Sequence, residues 1–159
     1  MRRYLHNTYI HHNISVNDRF GFIHYGFGNS FEITGLVISN NTFYSTHPSM
    51  NFFLNFTGER EAIDTTLIDN IFVFAGEGAN WGSVPTAERG MVLDNNIVVG
   101  LDDPEYIQLT DDPLFVAAGT EETEIDMTDP DRLGGYKLCL DSPAIAAGKE
   151  GDNESAVDF

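Results

Sequence analysis

Four stretches of the chain, at 9–15, 37–43, 66–72 and 92–98, share one pattern of apolar and polar positions. Aligned on Asn13, Asn41, Asn70 and Asn96, they recur at intervals of 28, 29 and 26 residues. Three positions before the asparagine stand Ile10, Ile38, Leu67 and Leu93. One position after it come Ile14, Thr42, Ile71 and Ile97, and three after it Val16, Tyr44, Val73 and Val99. The residue just before it is polar each time: His12, Asn40, Asp69 and Asn95. Alternation with period two is the strand pattern. The stretches therefore predict paired short strands that bend at the polar dipeptide and resume with their apolar side chains inward. Asparagine suits such a bend, because it tolerates left-handed backbone angles and hydrogen-bonds locally. Stacking would set the four asparagines in a column whose amides bond to the neighbours above and below.

A recurrence of this length is the mark of a repeat architecture. Stacked helices would need a 3.6-residue apolar period, for which these segments are too β-branched and aromatic. The competing reading is a β-sandwich with chance similarity between strands. Residues 17–31, 45–64 and 75–89 lie between the columns, and each is expected to hold the repeat's remaining strand plus an insertion. Within them, residues 50–56 predict a further strand, ahead of a charged turn at Gly58-Glu59-Arg60-Glu61. Loops on one face of a solenoid often build its binding surface.

Charge divides the chain. Residues 1–100 hold 9 acids and 5 bases, whereas residues 101–159 hold 16 acids and 3 bases. The net charge of −17 argues against nucleic acid and anionic membranes as partners, since both are met by basic patches. A single cysteine, Cys139, excludes an intramolecular disulfide and any zinc site built on several thiolates. No apolar run is long enough to predict a membrane-spanning helix, and the opening residues lack the apolar stretch of a signal peptide. The pairs Asp102-Asp103, Asp111-Asp112 and Glu121-Glu122 offer oxygen ligands of the kind calcium takes, or else form a solvated acidic face. No calcium loop of the EF-hand type is present.

The rungs Ile38-Ser39-Asn40-Asn41-Thr42-Phe43-Tyr44 and Asp69-Asn70-Ile71-Phe72 resemble those of right-handed parallel β-helix repeat proteins. The stretches Asp111-Asp112-Pro113-Leu114-Phe115-Val116, Gly135-Tyr136-Lys137-Leu138 and Asp141-Ser142-Pro143-Ala144-Ile145-Ala146-Ala147-Gly148 resemble the terminal segment common in bacterial members. That group includes many secreted polysaccharide lyases and glycoside hydrolases. The resemblance covers most of residues 9–148. It implies an all-β right-handed parallel β-helix, with coils over 1–101 and a terminal coil and acidic capping segment over 102–159 of the same domain. It further implies an extracellular or cell-surface setting in the parent protein, and polysaccharide as the partner, bound or cleaved. No cofactor is required, calcium being the one cation the acids invite. The alternative is a non-catalytic structural or adhesive β-helix that uses its flat face for contact. The first repeat begins within about nine residues of Met1 and shows no cap. The N-terminal coil is therefore expected to be open, either as part of a longer protein or as a surface for self-association.

Candidate chemistry follows from the same resemblance. A lyase needs a base and a cation beside a uronate carboxylate, roles that His24 or Tyr25 with Arg19 could fill; the plain alternative is ordinary loop residues. Hydrolysis needs two carboxyl groups at a set separation. Asp69 and Asp94 lie in successive repeats at adjacent columns, about one strand spacing apart, although Asp69 also reads as a bend residue. Tyr25, Phe27, Tyr44, Trp81 and Tyr106 are candidate sugar platforms; Tyr25 and Trp81 are the ones put forward, and the periodic aromatics are expected to fill the core. His11 and His12, adjacent in an expected strand, should face opposite sides and not share a metal. Cys139, between Leu138 and Leu140, is expected to be buried rather than reactive.

Overall fold

The computed structural model describes residues 3–18, 23–25, 31–47, 54–56, 62–76, 82–83, 91–101, 111–119, 128–129 and 131–148. Each asparagine stretch forms two strands there. The pairs are β1 (Arg3–His11) with β2 (Ile14–Val16), β4 (Phe31–Ser39) with β5 (Thr42–Ser45), β8 (Thr65–Ile68) with β9 (Ile71–Phe74), and β11 (Met91–Asp94) with β12 (Ile97–Val99). The intervening segments contribute β3 (Ile23–Tyr25), β6 (Leu54–Phe56), β7 (Ala62–Ile63) and β10 (Gly82–Ser83). Three sheets result. The first runs β1-β4-β8-β11 with β7 also paired to β4, the second β12-β9-β5-β2 and the third β10-β6-β3. Every pairing between these strands is parallel.

The register is the one the repeat predicts. Ile10 pairs with Ile38, Ile38 with Leu67 and Leu67 with Leu93. Parallel pairing of strands some thirty residues apart requires the chain to travel out and back between them, which the segments carrying β3, β6 and β10 do. This all-β, parallel arrangement is compatible with a β-helix-like fold. The charged turn expected at 58–61 lies outside the described residues.

Within each polar dipeptide the two positions do different work. The first makes the corner: His12, Asn40, Asp69 and Asn95 all hold left-handed φ values of 52–56°. A second corner column, Asn7, Gly35 and Asp64, has φ of 50–65°. Asn and Asp occupy most of these sites because their short polar side chains reduce the left-handed penalty that Cβ imposes on other residues. The second position makes the ladder. Asn13 Nδ2 donates to Asn41 Oδ1, Asn41 Nδ2 to Asn70 Oδ1 and Asn70 Nδ2 to Asn96 Oδ1, each at 2.9 Å. The backbone N–H of the same donor residue reaches the same oxygen at 3.0 Å in all three steps. The Nδ2 groups of Asn41, Asn70 and Asn96 also donate to the carbonyls of Ile10, Ile38 and Leu67 in the preceding repeat. Asn41, Asn70 and Asn96 are each 1% exposed, and these bonds are what make burial of their amides tolerable.

One expectation is corrected after the bend. The positions one and three after the asparagine do not point inward. The deeply buried residues are those two after it, Phe43, Phe72 and Val98, which belong to the core with Ile38 and Leu67. Phe43 and Phe74 lie on that side with ring centroids 5.6 Å apart. By the pleat, Val16, Tyr44, Val73 and Val99 face the other way. Tyr44 and Val73 are buried and Val16 and Val99 half-buried there, because Phe115, Ala118, Leu133 and Tyr136 of the C-terminal segment pack on this column and on Ile71. A parallel sheet buried on both faces carries continuous apolar runs, so its alternation cannot be read from sequence.

That segment is built from the motifs that carry the family resemblance. Phe115 bridges Leu138 in antiparallel fashion, and the N–H groups of Val116, Ala117 and Cys139 donate to Lys137, Gly135 and Leu114 at 2.8–2.9 Å. Asp112 Oδ1 accepts the Leu114 N–H, shaping the turn in which Leu114 takes a φ of 51°. The buried Ser142 hydroxyl donates to the Pro113 carbonyl at 2.5 Å and accepts the Ala144 N–H at 3.1 Å. The described part of this segment lies against the outer side of the second sheet. Cys139 is half-buried, while neighbouring Leu140 is wholly exposed.

Thr65 stands among apolar neighbours in the inward column of the first sheet, in register with Met91. It is fully buried, and its hydroxyl has no hydrogen-bond partner among the described residues. An unsatisfied buried hydroxyl is costly, and valine has nearly the same shape without it. Thr65→Val is expected to raise stability by about 1 kcal/mol, read as a higher urea midpoint with an unchanged slope.

Candidate functional site

The two large sheets differ in what covers them. The outer side of the second sheet is covered in part by the C-terminal segment, which buries Tyr44 and Val73 and leaves Ile14 exposed. The outer side of the first sheet is the more open one among the described residues. One of its outward columns is Tyr9, Val37, Thr66 and Val92, joined in register. Its ends are well exposed, Tyr9 at 59% and Val92 at 54%. The neighbouring column is His11, Ser39, Ile68 and Asp94. Parallel pairing sets equivalent side chains about one strand spacing apart, so this face presents regular rows of an aromatic ring, hydroxyls, a histidine and a carboxylate. Near its start His6 Nδ1 contacts Thr34 Oγ1.

Asp69 and Asp94 are brought together by their backbones, the Asp69 N–H donating to the Asp94 carbonyl at 3.3 Å. Their side chains serve different settings. Asp69 sits at the corner and accepts a bond from Asn95 Nδ2 at 2.5 Å, while the same amide donates to the Ala147 carbonyl at 2.7 Å. Gly148 lies against the Asp69 carboxylate. Asp69 is thus held beneath the C-terminal segment. Asp94 ends β11 on the outward side of the first sheet and is half-buried.

His24 and Tyr25 lie in β3, paired with Asn55 and Phe56; their side chains fall outside the described residues. Arg19 and Trp81, with Phe27 and Tyr106, also lie outside them. Tyr44, one of the periodic aromatics, is packed away as expected, its ring enclosed by Phe115 and Tyr136 at centroid distances of 6.4 and 5.5 Å. One sequence expectation is corrected. His11 and His12 do not face opposite sides: their Nδ1 atoms are 2.8 Å apart and their rings meet edge to face. The left-handed corner at His12 interrupts the alternation that would have separated them. No cluster of three or more His, Cys, Asp or Glu side chains that could hold a metal occurs among the described residues.

Tyr9 was not singled out by sequence. The signal was there: it precedes Ile10 by one residue in a strand, so an inward Ile10 forces Tyr9 outward. Comparison with known proteins finds no family model, no curated protein and no solved structure that matches this chain.

Proposed function

We propose that the chain is a right-handed parallel β-helix with an acidic C-terminal cap, and that it binds extracellular polysaccharide along the outer face of its first sheet. The observation that carries this reading is the contrast between the sheets: one outer face is packed at Tyr44 and Val73 by Tyr136 and Phe115, the other exposes Tyr9 and Val92. Tyr9 offers an aromatic face for a sugar ring, as aromatic side chains provide apolar area with a polar tip. The hydroxyls of Ser39 and Thr66 and the carboxylate of Asp94 sit in the same rows and can take up sugar hydroxyls. Hydrolytic cleavage would need both Asp69 and Asp94, and Asp69 is engaged by Asn95.

The strongly acidic chain favours neutral polymers, and calcium would be needed to bridge it to acidic ones. The test is a panel of neutral and acidic polysaccharides, with and without calcium, scored for retardation in affinity electrophoresis and for new reducing ends. Retardation by at least one polymer is expected, weakened about tenfold by Tyr9→Ala, a change of about 1.4 kcal/mol. The Tyr9→Ala denaturation midpoint should stay near that of the parent. Retardation that ignores Tyr9→Ala would place binding elsewhere, and none across the panel would favour the structural or adhesive reading.

A further inference from the structure

One corner of the fold brings two imidazoles together. His11 ends β1 in the outward column of the first sheet, and His12 takes the left-handed corner with a φ of 54°. In a continuous strand the two rings would stand on opposite sides. The corner instead sets His11 Nδ1 2.8 Å from His12 Nδ1, with ring centroids 5.0 Å apart and ring planes at 88°. Both side chains are exposed. They lie on the outer side of the rungs, not on the end of the stack. The equivalent pairs Ser39-Asn40, Ile68-Asp69 and Asp94-Asn95 carry no imidazole.

We infer that His11 and His12 form a two-nitrogen site for a late first-row transition ion, with Cu(II) held most tightly. Bonds from imidazole nitrogen to such an ion run about 2.0 Å. Two of them at a right angle put their nitrogens about 2.8 Å apart, whereas a tetrahedral angle needs about 3.3 Å. The observed 2.8 Å therefore matches neighbouring positions of a square-planar or tetragonal ion, the geometry Cu(II) and Ni(II) favour. Without the ion, one ring donates its Nδ1–H to the Nδ1 of the other. On binding, that hydrogen leaves Nδ1 and the ring carries one on Nε2, so both imidazoles coordinate as neutral ligands. Each exposed ring turns about its Cβ–Cγ bond, so that the two lone pairs meet at the ion instead of at each other. Water fills the remaining positions. Ser39, in register with His11, and Asn40, at the next corner, stand about one strand spacing away and offer oxygens to that water.

The test titrates the full chain with Cu(II) in a non-coordinating buffer, read by calorimetry and by electron paramagnetic resonance. One tightly held ion per chain is expected, with hyperfine structure from two imidazole nitrogens. The repeat itself supplies variants that keep the fold. His12→Asn installs the corner residue found at Asn40 and Asn95, and His11→Ser the residue found at Ser39. Each should weaken Cu(II) binding at least about tenfold, while the urea midpoint stays near that of the parent. His6→Ala, five residues back along β1, should leave the affinity unchanged. The inference fails if no Cu(II) binds at about 100 μM, or if either His11→Ser or His12→Asn binds as tightly as the parent. It also fails if the loss appears in His6→Ala instead. Retardation by polysaccharide is read through Tyr9 without Cu(II), so the two proposals stand or fall separately.

Discussion

Asn70→Ala should remove about 3–5 kcal/mol of stability, a third or more of what a domain of this size commonly has. Asn70 Oδ1 is the acceptor for both the backbone N–H and the Nδ2 of Asn41. Its own Nδ2 serves Asn96 Oδ1 and the carbonyls of Ile38 and Ile68. Truncation leaves a buried N–H at Asn41 without its ladder acceptor and opens a void in the stack. Each buried group left unsatisfied costs about 1–3 kcal/mol, and linked bonds in a low-dielectric interior weaken together. Asn13→Ala is the internal comparison. Asn13 is exposed and takes part in only one ladder step, so its loss should cost about 1 kcal/mol or less. Urea denaturation of the two variants side by side reads the difference. Equal costs would mean that the ladder contributes little.

The second large effect is expected at Tyr136. Its ring packs against Tyr44 at 5.5 Å and Phe115 at 6.0 Å, with Tyr44 and Phe115 completing the cluster. Replacing a buried aromatic by alanine removes both the transferred area and the contacts of its neighbours, about 3–5 kcal/mol. The loss should be local. In Tyr136→Ala, the amides of Val116, Ala117 and Cys139, which tie the C-terminal segment together, should exchange far faster. Those of Asn41 and Asn70 should keep most of their protection. Uniform loss across both groups would mean that the segment is part of one cooperative unit with the sheets rather than a cover docked on them.

The repeat itself was legible from the chain. A polar pair followed by apolar residues, at intervals near 28, located the rungs and their register, because a ladder constrains the same position in every repeat. The column of asparagines was legible for the same reason. What escaped was direction. Thr42-Phe43-Tyr44-Ser45 and Ile71-Phe72-Val73-Phe74 offer apolar residues to both faces, so periodicity could not say that Phe43 and Phe72 point in while Tyr44 and Val73 point out. The partner that hides Tyr44 is Tyr136, 92 residues along the chain, and no local pattern announces such a contact. The meeting of His11 and His12 escaped because one left-handed residue resets the alternation. On the candidate face, Asp94 was legible as a candidate carboxylate one repeat from Asp69, whereas Tyr9 was passed over although the alternation that puts Ile10 inward exposes it.

The central claim is the directional ladder from Asn13 to Asn96, and through-hydrogen-bond scalar coupling by NMR tests it most directly. The backbone N–H groups of Asn13, Asn41 and Asn70 should correlate with the side-chain carbonyl carbons of Asn41, Asn70 and Asn96 in turn. Three such correlations, in that order, are the expected result. Coupling of the same amides to main-chain carbonyls, or rapid exchange of Asn41 and Asn70 with no coupling at all, would contradict it.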